Sequence, residues 1–187
     1  MKKVTLLFGA FIALFFISCE GPAGPPGYDG FDGAQGPPGA DGSEFEAIVF
    51  EVEIDLTLNS GDNTYEFGES FSDHSIELFP DDAILVYRLE AIEDGLDIWR
   101  QLPQPFFSNQ GLLYYNFDFT QVDYKLYVEP DFDASIVPTD LVTNQIFRVF
   151  IVPANLGLSS KLDKSNINAV MKSMGIEDKN VQRFKMN

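Results

Sequence analysis

The sequence has one cysteine, Cys19, and one histidine, His74, in 187 residues. A single cysteine excludes a disulfide within the chain, and structural zinc sites need clusters of cysteine and histidine. Basic residues are also scarce, with 12 lysines and arginines against 29 aspartates and glutamates and a net charge of −17. Because phosphate binding requires lysine and arginine, we expect no nucleic-acid partner.

The sequence offers no recognisable catalytic arrangement. His74 lies in a polar stretch, residues 71–75, and is predicted to be a surface-loop residue. The many carboxylates do not follow the spacing of a calcium-binding EF-hand, so they predict a solvated acidic surface. We therefore expect no catalytic residue, no metal and no other cofactor.

The first residues have the pattern of a signal peptide. Lys2 and Lys3 precede an apolar run, residues 4–17, which is shorter than the roughly 20 residues that a membrane-spanning helix needs. The run ends in Phe-Ile-Ser-Cys, residues 16–19, which resembles the lipobox of bacterial lipoproteins. That resemblance implies cleavage after residue 18 and lipidation of Cys19, which would anchor the chain to a membrane.

Residues 21–42 contain eight glycines at a strict period of three. This is the pattern of collagen, in which only glycine fits the axis of three polyproline II chains. Residues 27–35 contain no proline, which weakens the preference for that conformation. We call residues 19–43 the stalk. It is either an extended monomeric spacer or part of a homotrimer.

Residues 44–187 are predicted to form one globular, all-β domain. Apolar and polar residues alternate with the period of a strand in several segments, and turn residues separate them. A fold of seven to eight strands in two antiparallel sheets, a sandwich, is expected. The predicted strands are residues 45–58, 64–71, 83–91, 97–102, 112–120, 122–129 and 145–152.

One helix is predicted near the C-terminus. Ile167, Val170, Met171 and Met174 share one helical face, with a predicted N-cap at residue 165 and an end at residue 175. We expect this helix to pack at one edge of the sandwich. The polar tail, residues 177–187, is expected to fray.

The order of these parts resembles a family. A lipobox cysteine, a short Gly-X-Y repeat and strands carrying Leu-Val-Tyr-Arg (85–88), Asp-Ile-Trp-Arg (97–100), Tyr-Asn-Phe-Asp-Phe-Thr (115–120) and Phe-Arg-Val (147–149) resemble uncharacterised collagen-like lipoproteins of Bacteroidota. The resemblance implies a location in the cell envelope, at the outer membrane, and leaves the membrane face open. It implies no activity and no functional residues.

Three aromatic residues are candidates for a binding surface. Tyr87, Trp99 and Tyr114 fall on strand faces that alternation leaves pointing outward, and exposed aromatics on a sheet are suited to a protein or glycan ligand. The leading hypothesis is a non-enzymatic envelope lipoprotein that presents this domain on the stalk. The alternative is an envelope hydrolase that cleaves glycans through paired carboxylates.

Overall fold

The computed structural model describes residues 47–154 and 162–186. Over these ranges the chain is mostly β, with two five-stranded sheets and one α-helix. The strands are β1 Ile48–Ile54, β2 Thr57–Asn59, β3 Thr64–Ser70, β4 Ala83–Glu93, β5 Leu96–Gln101, β6 Gln104–Phe107, β7 Leu112–Phe119, β8 Asp123–Pro130, β9 Gln145–Val152 and β10 Gln182–Met186. The predicted β-rich class is confirmed, and the ten strands exceed the predicted seven to eight.

The first sheet has the strand order β10-β1-β9-β4-β5. Its pairs are antiparallel except β1 with β10, which run parallel. The expectation of a frayed tail was wrong, because β10 closes one edge of this sheet. Its polar composition hid the strand, since an edge strand next to solvent needs few apolar side chains.

The second sheet has the order β2-β3-β8-β7-β6, and all of its neighbours are antiparallel. Strand β6 was not predicted, because it is only four residues long and begins directly after Pro103. The chain thus crosses from β5 at the edge of the first sheet to β6 at the edge of the second. This crossing brings the two sheets together at that side.

One apolar core joins both sheets. Val52 and Val149 of the first sheet belong to the same buried cluster as Leu113, Leu126 and Val128 of the second. Complete burial of an aliphatic side chain stabilises the fold by about 1.5–3 kcal/mol. The alternating residues that predicted the strands therefore supply the contacts that hold the sheets together.

The predicted helix is confirmed as α1, Ile167–Ser173. Its N-cap is Asn166 rather than the predicted Ser165, because the Asn166 side chain accepts a hydrogen bond from the backbone N–H of Ala169. Gly175, with a φ of 68°, follows its end. The expected position at an edge was wrong: α1 packs on the outer face of the first sheet.

That outer face forms a second buried cluster. Leu85 and Phe150 of the sheet pack there with Ile167 and Val170 of α1. The first sheet is consequently buried on both faces. The predicted signal peptide, Cys19 and the stalk lie outside the described residues, and none of the helices described is long and apolar enough to cross a membrane.

Candidate functional site

The outer face of the second sheet exposes several large apolar side chains. Phe107 of β6 is 80 % exposed and Tyr114 of β7 is 42 % exposed. Leu112 lies opposite Phe107, and Pro105 lies opposite Tyr114. Together with Tyr127 of β8, these residues cross three neighbouring strands. We call Pro105, Phe107, Leu112, Tyr114 and Tyr127 the aromatic face.

Polar side chains accompany the aromatic face. Glu129 lies directly opposite Tyr114, and Asn116 lies opposite Tyr127. The ammonium nitrogen of Lys125 is 5.2 Å from the centre of the Tyr127 ring, within cation–π range. Flat rings beside hydrogen-bonding groups can hold an amphipathic ligand, because the rings contact its apolar side and the polar groups fix its orientation.

A hollow of about 600 Å³ opens where β3 and β7 end and β8 begins. Gly68, Ser70, Asp118, Asp123 and Lys125 are among the residues that line it. Gly68 faces Lys125 across the strand pair, and a Cβ added to this glycine would lie 3.6 Å from the nearest atom. This is an ordinary van der Waals distance, so packing does not require a glycine at position 68. The hollow extends the polar end of the outer surface.

The three predicted binding aromatics do not come together. Tyr114 belongs to the aromatic face, whereas Tyr87 and Trp99 lie in the cluster under α1 on the other sheet. The prediction that Tyr87 points to solvent was wrong, because α1 covers it. It is completely buried, and its hydroxyl donates a hydrogen bond to the backbone carbonyl of Lys164.

Trp99 is half-buried and contacts a cation. The centre of its ring is 4.4 Å from the guanidinium carbon of Arg148. Arg148 donates to the Glu51 carboxylate from Nε at 2.8 Å and from Nη2 at 2.6 Å, and its Nη1 donates to Asp178 at 2.8 Å. Arg183 of β10 also donates to Glu51, at 2.6 Å. This ion-pair network ties β1, β9 and β10 together.

Sequence reasoning missed Glu51. It occupies an outward position in the alternation of β1, where a charged residue ordinarily contacts water. The same register places Glu51 directly between Arg148 and Arg183. Arg100 likewise donates to an acid, the Glu90 carboxylate.

His74 is buried, so the prediction of a surface-loop histidine was wrong. The 3-10 turn Phe71–His74 places the His74 ring between the rings of Phe50 and Phe184. The ring centres are 4.7 Å apart for Phe50 and 4.5 Å apart for Phe184. Its Nε2 lies 3.0 Å from the Tyr124 hydroxyl and 3.0 Å from the Glu69 carboxylate.

Tyr124 is buried in this arrangement. Burial, followed by the nearby charge of Glu69, raises the pKa of Tyr124 well above its ordinary value. Its hydroxyl therefore remains protonated at neutral pH and can donate to Glu69, 3.3 Å away. The second ring nitrogen of His74, Nδ1, is buried and has no hydrogen-bond partner among the described residues.

Arg88 has a different environment. It is only 4 % exposed, points into the space between the sheets and stacks on Tyr115, with 3.8 Å from its guanidinium carbon to the ring centre. Its Nε donates to the side-chain oxygen of Gln145 at 2.9 Å. Within the described part of the chain its Nη1 has no hydrogen-bond partner.

The burial of the Arg88 guanidinium costs more free energy than its stacking on Tyr115 returns. A desolvated cation–π contact contributes about 2 kcal/mol, whereas burying an ion costs several kcal/mol. Burial lowers the pKa of the Arg88 guanidinium, and the opposing effects of Tyr115 and Glu90 do not cancel this. The neighbouring Glu90 carboxylate is already bonded to Arg100 at 2.5 Å and to Gln104 at 3.0 Å.

Among residues 47–154 and 162–186, no group of three or more histidine, cysteine or acidic side chains could hold a metal ion. Comparison of the chain with protein-family models found no match. Comparisons with curated proteins and with solved structures found none either.

Proposed function

We propose that this chain is a lipid-anchored envelope protein whose β-sandwich domain binds a glycan on the aromatic face. The observation that supports this proposal is the contrast between the outer faces of the two sheets. Helix α1 covers one face, whereas Phe107 and Tyr114 stand exposed on the other. Contiguous exposed apolar surface on a soluble domain marks a binding site.

The dimensions of the aromatic face favour a glycan over a protein partner. It is formed by five side chains with polar neighbours between them, whereas a standard protein interface buries about 800 Å² on each partner. A sugar ring presents an apolar face to Tyr114 while its hydroxyls reach Asn116 and Glu129. The net charge of −17 disfavours polyanionic chains at long range, so a neutral glycan is the expected ligand.

A glycan microarray that includes neutral bacterial and host oligosaccharides tests the binding proposal with the full chain. Tyr114→Ala and Phe107→Ala should each weaken the binding at least tenfold, because each removes a ring from the aromatic face. Ile92→Ala removes an exposed apolar side chain from the other sheet and should leave it unchanged. Absence of binding, or equal loss in all three variants, would refute the proposal. Release of sugar products would favour the hydrolase alternative.

The anchor is supported by the position of Cys19 at the end of the apolar run. Lipidation with several acyl chains gives stable membrane attachment, since each buried methylene contributes about 0.8 kcal/mol. A Cys19→Ala variant should move from the detergent phase to the aqueous phase in a detergent-partitioning experiment. If it partitions like the wild type, the anchor proposal is wrong.

A further inference from the structure

One of the four arginines of the chain differs from the other three in its hydrogen-bond partner. Arg100, Arg148 and Arg183 each donate a hydrogen bond to a carboxylate. Arg88 is buried and donates only to the neutral side chain of Gln145 within the described residues. In a chain with 29 acidic residues, a buried guanidinium without a carboxylate is unexpected, because burial favours pairing of the charge.

A hollow of about 410 Å³ reaches Arg88 from the surface. Its lining comes from β4, from the start of β9 and from the segment that contains the 3-10 turn Thr139–Leu141. Glu90, Asp140, Asn144 and Gln145 are among the residues that line it with Arg88. This volume accommodates a monosaccharide or the last residues of a peptide.

We propose that this hollow binds a carboxylate-bearing group, with Arg88 as the residue that pairs with the carboxylate. A guanidinium recognises a carboxylate through parallel N–H···O hydrogen bonds. The stacking of Arg88 on Tyr115 fixes the plane of the guanidinium before a ligand arrives, which reduces the entropy lost on binding. Gln145 holds the same plane through the Arg88 Nε.

The neighbouring acids define what else the ligand can carry. Glu90 is engaged by Arg100 and Gln104, so part of its charge is already balanced. Asp140 also lines the hollow and repels a second anionic group. The site is therefore suited to a single carboxylate, from either a uronic acid or the carboxyl terminus of a peptide. It is distinct from the aromatic face and does not depend on the proposed glycan binding there.

Ligand binding is measured on the detergent-solubilised full chain by saturation-transfer difference NMR. The probes are sodium glucuronate with its neutral counterpart glucose, and N-acetylglycylglycine with its neutral amide. A saturable signal from a carboxylate that its neutral counterpart does not give supports the proposal, and the tighter carboxylate identifies the source. Equal amounts of sodium chloride control for ionic strength.

Two variants show whether Arg88 is responsible. Arg88→Met should reduce carboxylate affinity at least tenfold, whereas Arg183→Met, which removes an arginine of β10 at the far edge of the first sheet, should retain it. Gln145→Glu should also abolish binding, because it places a carboxylate of the chain itself against Arg88; this variant tests the site if Arg88→Met does not fold. Absence of saturable binding, equal binding of the neutral probes or undiminished binding by the variants would overturn the inference.

Discussion

Replacing Glu51 with alanine should destabilise the domain strongly. Glu51 and Arg148 have side chains only 4 and 6 % exposed, and Glu51 also accepts from Arg183. Removing the carboxylate leaves the Arg148 guanidinium buried, with Asp178 as its one remaining carboxylate partner among the described residues. Breaking a buried ion pair in this way costs about 3–5 kcal/mol, which corresponds to a Tm decrease on the order of 10 °C for a domain of this size.

Urea unfolding followed by tryptophan fluorescence measures this cost. Trp99 is the single tryptophan and stacks on Arg148, so its emission reports the network directly. The matched control is Glu53→Ala, which removes the next outward acid of β1 and its exposed pair with Lys185. Exposed pairs contribute about 0.2–1 kcal/mol, so the control should shift the midpoint only slightly.

A double variant tests whether the loss of stability comes from the unpaired charge of the Arg148 guanidinium. If the penalty comes from the uncompensated guanidinium, Glu51→Ala combined with Arg148→Met should be more stable than Glu51→Ala alone. An unchanged m-value would show that the unfolded state is the same. A loss below about 1 kcal/mol for Glu51→Ala, or a loss equal to that of Glu53→Ala, would refute the reasoning.

Two further outcomes are expected. Burial raises the pKa values of Tyr87 and Tyr115 to about 12; since the unfolded chain loses these protons near pH 10 and the folded chain keeps them, stability should fall between pH 10 and 12. Absorbance at 295 nm should show phenolate from these residues only as the domain unfolds, and their ionisation near pH 10 in the folded state would contradict this. A synthetic peptide of residues 20–43 should show no cooperative melting by circular dichroism at micromolar concentration, because residues 27–35 lack proline and ordering each residue costs roughly 1–2 kcal/mol. A transition well above room temperature would show that the stalk trimerises unaided.

Local patterning predicted much of the fold. Strand β4 follows from its apolar and β-branched residues, and the return into β5 follows from the turn residues Asp94 and Gly95, which both have the positive φ that such turns use. The apolar spacing that includes Ile167, Val170 and Met171 predicted α1 and its buried side. These features depend on neighbours a few residues apart, so they can be deduced without the tertiary structure.

The candidate site was predicted only in part. Tyr114 was placed correctly on an outward face because β7 alternates regularly. Phe107 was missed because β6 is short, and the burial of Tyr87 was missed because α1 lies far along the chain. A sequence does not show which arginines have acidic partners, so it could not reveal that Arg88 has no carboxylate partner among the described residues.

The sequence alone determined where most of the strands and the helix lie and which side chains alternate along the regular strands. Alternation separates two faces but does not say which of them is covered. Only the tertiary structure decided that α1 covers Tyr87, that β10 brings Arg183 to Glu51 and that the second sheet leaves Tyr114 exposed. The physical reason is that burial depends on contacts between segments distant in the chain, and those contacts form only when the sheets assemble.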